Sequence, residues 1–111
     1  MRGILCVIAL TGLPLASFAQ DCTGRVVDLR PITQYDHDRG TGYLAVRAGA
    51  GADQPQLGEL YLGDHVVVLE RHGNWYRVQC SEGTCLAPLW GAPQPAGWVY
   101  GGYIRLRGAC P

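Results

Sequence analysis

Lysine is absent from this 111-residue chain, and all nine basic residues are arginines. No glycine-rich loop can therefore cradle a phosphate through a lysine, which removes the commonest nucleotide-binding loop. The arginine-only usage itself reads as compositional bias and carries no function. Charge is also scarce. Charged residues make up 16% of the chain and the formal net charge is zero, with no basic run. Nucleic acid and anionic membrane surfaces are thus poor candidate partners on sequence grounds. Helical signal is missing too. Glycine (16) and proline (7) are frequent, and no stretch keeps a 3.6-residue apolar period for three turns. Long apolar runs are lacking: Ile4 to Leu13 holds ten residues, whereas a membrane-spanning helix needs roughly 20.

That short run has a different meaning. Arg2 supplies a positive start, Pro14 breaks the run, and Ser17-Phe18-Ala19 places small residues at −3 and −1. The pattern predicts a secretory signal over residues 1–19, cleaved after Ala19. The expected product has 111 − 19 = 92 residues, exported to the periplasm or secreted, with no membrane insertion after cleavage. Its charge is eight arginines against nine acids, or −1.

A domain of this size buries only somewhat more than about 60% of its unfolded surface, so cross-links help it. Cys6 leaves with the signal. Cys22, Cys80, Cys85 and Cys110 remain, an even number suited to an oxidising compartment. Three pairings are possible. The polar turn Ser81–Thr84 favours Cys80–Cys85, and the proximity of termini in small domains favours Cys22–Cys110. On the chain-entropy model the wide loop is worth about 4.6 kcal/mol and the tight one about 2.2. A zinc site would need short paired motifs that are missing. No metal and no cofactor are expected.

Short runs rich in Val, Tyr, Trp and Ile recur between turn residues, which predicts an all-β fold. Strands are expected over 25–29, 43–47, 65–71, 75–80, 97–100 and 103–107, with a short pairing segment over 59–62. Residues 48–56 and 81–96 read as loops, the second because of Pro88, Pro93 and Pro95. Residues 31–41 read as a polar, irregular arm. Within it, Asp36-His37-Asp38 could suggest a metal or acid–base cluster. Consecutive residues of an extended segment alternate sides, so the expectation is a solvated turn. No serine, histidine and aspartate trio is suggested by spacing, and no catalysis is expected.

One set of residues is more specific. Leu44-Ala45-Val46-Arg47-Ala48-Gly49 is followed by Leu57-Gly58-Glu59-Leu60, Gly63, Val66, Val68, Trp75 and Val78, and then by Gly97-Trp98-Val99 with Tyr103-Ile104. This string resembles the core of bacterial SH3-type (SH3b) domains over roughly residues 42–106. The resemblance implies an SH3-like β-barrel of about five to six short antiparallel strands, disulfide-stapled and non-enzymatic. The implied organisation is an N-terminal arm with the first strand (20–41), a barrel (42–107) and a tail (108–111). Leu44, Val46, Leu60, Val66, Val68, Val78 and Val99 would face the interior, and Gly49, Gly58, Gly63 and Gly97 would serve tight bends. The chain departs from the family at Ala45 and Ala50 and in its long 81–96 loop.

By analogy with the family, a monomeric module would recognise a peptidoglycan peptide or an envelope protein. A protein accessory, such as an inhibitor or immunity-type partner of a secreted enzyme, is the alternative, with the 81–96 loop as its contact. A small hydrolase is the remote third. Ligand-binding candidates are Tyr43, Arg47, Trp75, Tyr76, Trp90 and Tyr100, because aromatic rings with polar handles suit recognition. Arg47 would bond a neighbouring loop or meet a ligand carboxylate. Trp98 and Tyr103 are expected to fill the core.

Overall fold

Alternating branched and polar residues produce seven strands: β1 (Thr23–Val26), β2 (Leu44–Arg47), β3 (Gln56–Leu60), β4 (His65–His72), β5 (Trp75–Glu82), β6 (Ala96–Tyr100) and β7 (Ile104–Arg107). The structure is a computed structural model that describes residues 21–111. The expected export signal and its cleavage point lie outside those residues. All strands pair antiparallel in one sheet of order β3-β2-β6-β5-β4-β1-β7. Short 3-10 turns cover Ile32–Gln34, Thr84–Leu86 and Gly101–Tyr103.

The inward side chains are mostly valines. Val26, Leu44, Val46, Leu60, Val66, Val68, Val78, Cys80, Val99 and Ile104 are buried in one cluster. They come from every strand, including the two at opposite ends of the sheet order. A single sheet can gather one face into one cluster only by rolling onto itself, which makes a small barrel. The seven expected interior positions are all buried.

The strand expected in the arm is β1, which is inserted between β4 and β7. The count reaches seven because the short pairing segment expected over 59–62 is a full strand. β3 begins at Gln56, where a loop was expected. It pairs with β2 from Leu44↔Leu60 to Arg47↔Gln56, and a bulge between Val46 and Arg47 leaves Leu57 unpaired. Two of the expected bend glycines are strand residues instead. A Cβ on Gly58 would lie 2.7 Å from Pro95 Cβ, and one on Gly97 would lie 2.6 Å from the Arg47 carbonyl oxygen. Close backbone approach, and not a turn, requires glycine there. Gly63, at φ +89°, does turn the chain into β4.

The two favoured disulfides are both present. Cys22 and Cys110 are 4.7 Å apart at Cα and Cys80 and Cys85 are 6.0 Å apart. The first bridge clasps the start of β1 to the residues after β7, its neighbour in the sheet. The second stiffens the turn that leaves β5. Beside it lies Asp64, fully buried, which accepts the Tyr61 backbone N–H at 2.7 Å. Burial pushes its carboxyl up from the usual range, partly offset by backbone N–H groups of Tyr61, Thr84 and Cys85.

Candidate functional site

Two arrangements of side chains stand out, one open and one buried. The open one begins where β5 starts and β6 ends. Trp75 lies directly opposite Tyr100 in the sheet register. Their rings meet edge to face at 5.8 Å, and Tyr100 meets Tyr103 the same way at 6.2 Å. Such pairs are favoured by the ring quadrupoles. These three rings, with Leu44, Ala45, Arg47 and Ala52, line an open groove of about 310 Å³. A second depression of about 400 Å³ shares Leu44, Ala45, Arg47 and Tyr103 and extends past Tyr43 to Arg30 and Asp28. The two adjoin along these shared residues, with Arg47 lining both.

Arg47 is held from one side. Its Nη1 donates to the Gln54 carbonyl at 2.9 Å, which ties the end of β2 to the 48–55 loop. The guanidinium keeps further N–H donors that could meet a carboxylate bidentately. Tyr43 is fixed by its hydroxyl, which donates to the His37 carbonyl at 3.0 Å. Flat apolar rings flanking a positioned cation can hold a short extended peptide or a sugar face and orient it by one charge.

The structure brings Tyr43, Arg47, Trp75 and Tyr100 to this groove. Tyr76 is elsewhere. Its β5 parity turns it inward, where it packs on the core, and a Cβ on Gly101 would lie 2.7 Å from its ring. Trp90 is also elsewhere, stacked on the His37 ring at 4.3 Å with 17° between planes. Tyr103 does not fill the core as expected. It closes the 3-10 turn before β7, which breaks strand alternation, and is 37% exposed along the groove. Trp98 is half-buried.

The buried arrangement centres on Glu59, a residue that the sequence reading passed over. Glu59 is on β3 and has no exposed surface. Tyr35 and Tyr61 hydroxyls donate to its Oε1 at 2.8 and 2.7 Å. His37 Nδ1 lies 2.6 Å from Oε2. The Leu89 backbone N–H donates to the Tyr61 hydroxyl at 2.9 Å. Strand alternation turns Glu59 to the outside of the barrel. There the arm and the long loop fold over it as a second layer.

The Asp36-His37-Asp38 reading is corrected accordingly. Asp36 and Thr41 exchange backbone hydrogen bonds in a tight hairpin, and Asp38 is exposed, as a solvated turn requires. His37, however, turns inward to Glu59 and stacks on both Tyr43 and Trp90. The arm is therefore ordered, and it is pinned to β3 and the loop at one point. One sequence signal existed: Glu59 is the only charge within Leu57–Leu62. Among the described residues, no group of three or more His, Cys, Asp or Glu is placed to hold a metal.

This network shifts phenol ionisation upward. Burial first, and then donation to Glu59, push Tyr35 and Tyr61 well above the ordinary value. Burial and the Glu59 charge push Tyr43 the same way. A raised phenol value in the folded state means the native chain holds protons that the unfolded chain releases. The contribution is therefore complete below about pH 10 and is lost as pH rises above it. A spectrophotometric titration should show three of the six tyrosines ionising late, together with alkaline unfolding. Six phenols ionising together in the folded protein would contradict the network.

Comparison with known proteins adds the family. The model of the bacterial SH3 domain matches residues 42–105. Searches of curated proteins and of solved structures return no significant match. The matched span runs from Gly42, just before β2, to Arg105 in β7, and leaves out β1, Cys22 and Cys110. It takes in β2 to β6, most of the valine core and the groove residues Tyr43, Arg47, Trp75, Tyr100 and Tyr103, and with this match the chain belongs to the bacterial SH3 domain family.

Proposed function

We propose that the protein is an exported binding module whose aromatic groove holds a peptide of the bacterial cell envelope, such as a peptidoglycan stem peptide. The family is typically a non-enzymatic binding module, and two disulfides fit an extracytoplasmic compartment. The observation that carries the reading is the row of half-buried Trp75 and exposed Tyr100 and Tyr103, which lines an open groove together with Arg47. Trp and Tyr at such positions give large contact area at small entropic cost, and Arg47 would take a peptide carboxylate.

Co-sedimentation with purified sacculi tests it. The protein should pellet, and Trp75→Ala or Tyr100→Ala should weaken binding by about fivefold or more, the scale of a residue worth over 1 kcal/mol. If the native protein does not pellet, the cell-wall reading is wrong. A second reading, a protein partner at the long loop, rests on Leu86 and Leu89, exposed on a loop that Cys85 and Trp90 hold rigid. Affinity capture from periplasmic extract that survives Trp75→Ala and fails with Leu89→Ser would favour it. A point change is needed because Leu89 and Trp90 belong to the Glu59 network, so deleting the loop would disturb the fold.

A further inference from the structure

Of the eight arginines among the described residues, five are engaged by the protein itself. Arg39 and Arg77 pair with Asp36 and Glu70. Arg30 bonds the Gln34 side chain, and Arg47 and Arg71 bond the Gln54 and Gly73 carbonyls. The remaining three, Arg25, Arg105 and Arg107, have no side-chain partner among the described residues. They are also neighbours on the outer face of β1 and β7.

The register makes this concrete. Arg25 on β1 is directly opposite Arg105 on β7, and Thr23 is opposite Arg107. On its other side Arg25 is opposite His65 of β4. All four charged or titratable side chains are exposed. Directly opposite residues of an antiparallel pair have Cβ atoms about 4.5–5.5 Å apart, and like charges placed so are destabilising. Around them lies a shallow depression of about 320 Å³. The acid in the same row, Glu82, is one strand farther out, beyond His65.

Protection of a sheet edge accounts for charges on β7, the last strand in the sheet order. It does not account for Arg25, which lies one strand in and opposes Arg105. A face that keeps three guanidiniums together without an internal acceptor is organised to receive one from outside. We propose that the Arg25–Arg105–Arg107 face is a binding site for an oxyanion of the phosphate type. Planar guanidinium forks match such oxygens bidentately. Three adjacent positive charges call for more than the single charge of one carboxylate. The site shares no lining residue with the aromatic groove, so both could be filled together. Neither the linear sequence nor the net charge reveals it, because its members come from the first and last strands.

The test uses inorganic pyrophosphate and phosphatidylcholine vesicles with or without phosphatidylglycerol. Pyrophosphate should shift the Nε–H signals of Arg25, Arg105 and Arg107 saturably. An Arg25→Gln/Arg105→Gln variant should bind at least about tenfold more weakly, the scale of one hydrogen bond to a charged group. The same variant, freed of its opposed charges, should unfold at an equal or higher temperature, so loss of binding cannot be loss of fold. Binding to anionic vesicles that disappears in the variant would identify a lipid headgroup as the source. Pyrophosphate binding without vesicle binding would identify a soluble or polymeric phosphate. The proposal is overturned if pyrophosphate gives no saturable shift at these arginines, or if the variant binds equally well. It is also overturned if a glutamate peptide shifts the same signals at lower concentration.

Discussion

A Cys22→Ser/Cys110→Ser variant should lose about 4.6 kcal/mol of folding stability, the chain-entropy value for a loop of this span. The bridge joins residues 88 apart in sequence, whereas Cys80–Cys85 joins residues five apart. The matching Cys80→Ser/Cys85→Ser variant should lose only about 2.2 kcal/mol on the same model. Domains typically have about 5–15 kcal/mol in total, so the first loss would bring a small valine core close to unfolding. The geometry adds to the entropy. The Cys22 carbonyl accepts the Val68 N–H at 3.0 Å, so the bridge also anchors the point where β1 meets β4. Urea denaturation of the two variants measures the difference. The Cys22–Cys110 variant should also show a larger m-value, because its unfolded chain expands more. A smaller loss for the wide bridge than for the tight one would refute this account.

Replacing Glu59 with alanine should cost about 3 kcal/mol or more, because several buried polar groups lose their partner at about 1–3 kcal/mol each. The change removes the partner of two phenols and an imidazole at once and leaves a cavity beneath the arm. Glu59→Gln should cost distinctly less, because an amide oxygen can still accept from Tyr35 and Tyr61. Two readouts separate this from a general weakening of the barrel. Trp90 fluorescence should move toward that of a solvated indole, since its stacking partner His37 is released. Protease cleavage should appear first within residues 31–41 and 86–95. An alanine variant with unchanged urea midpoint and unchanged fluorescence would show that the network does not hold these segments.

The barrel was largely legible because its physics is local. Val66, Val68, Val78 and Val99 are interior positions of the SH3-type string, and each is buried beside less buried strand neighbours. The disulfides were legible because one turn and two ends limit the sensible pairings. β3 was misplaced because Gln56, Leu57 and Gly58 have weak strand preference, and a bulge hides their pairing with β2. Glu59 and His37 were missed for a different reason. Alternation correctly turns Glu59 away from the barrel core, but nothing in its neighbours says that a segment 22 residues earlier returns to bury it. Tyr103 left the core, and Trp90 lies apart from the groove, for the same cause: a turn and a folded-back loop, and not strand parity, decide where their rings lie. The unpartnered arginine face depends on β1 pairing with β7, the longest-range pairing in the fold.

The Cys22–Cys110 clasp also has a mechanical meaning. It joins the chain covalently just before the first strand and just after the last, across a Cα–Cα distance of 4.7 Å. Tension applied outside the two cysteines is carried by the sulfur–sulfur bond and not by the sheet between them. Under load the oxidised domain behaves as a knot-like bead of fixed length, while the reduced one becomes an extensible spring of nearly ninety residues.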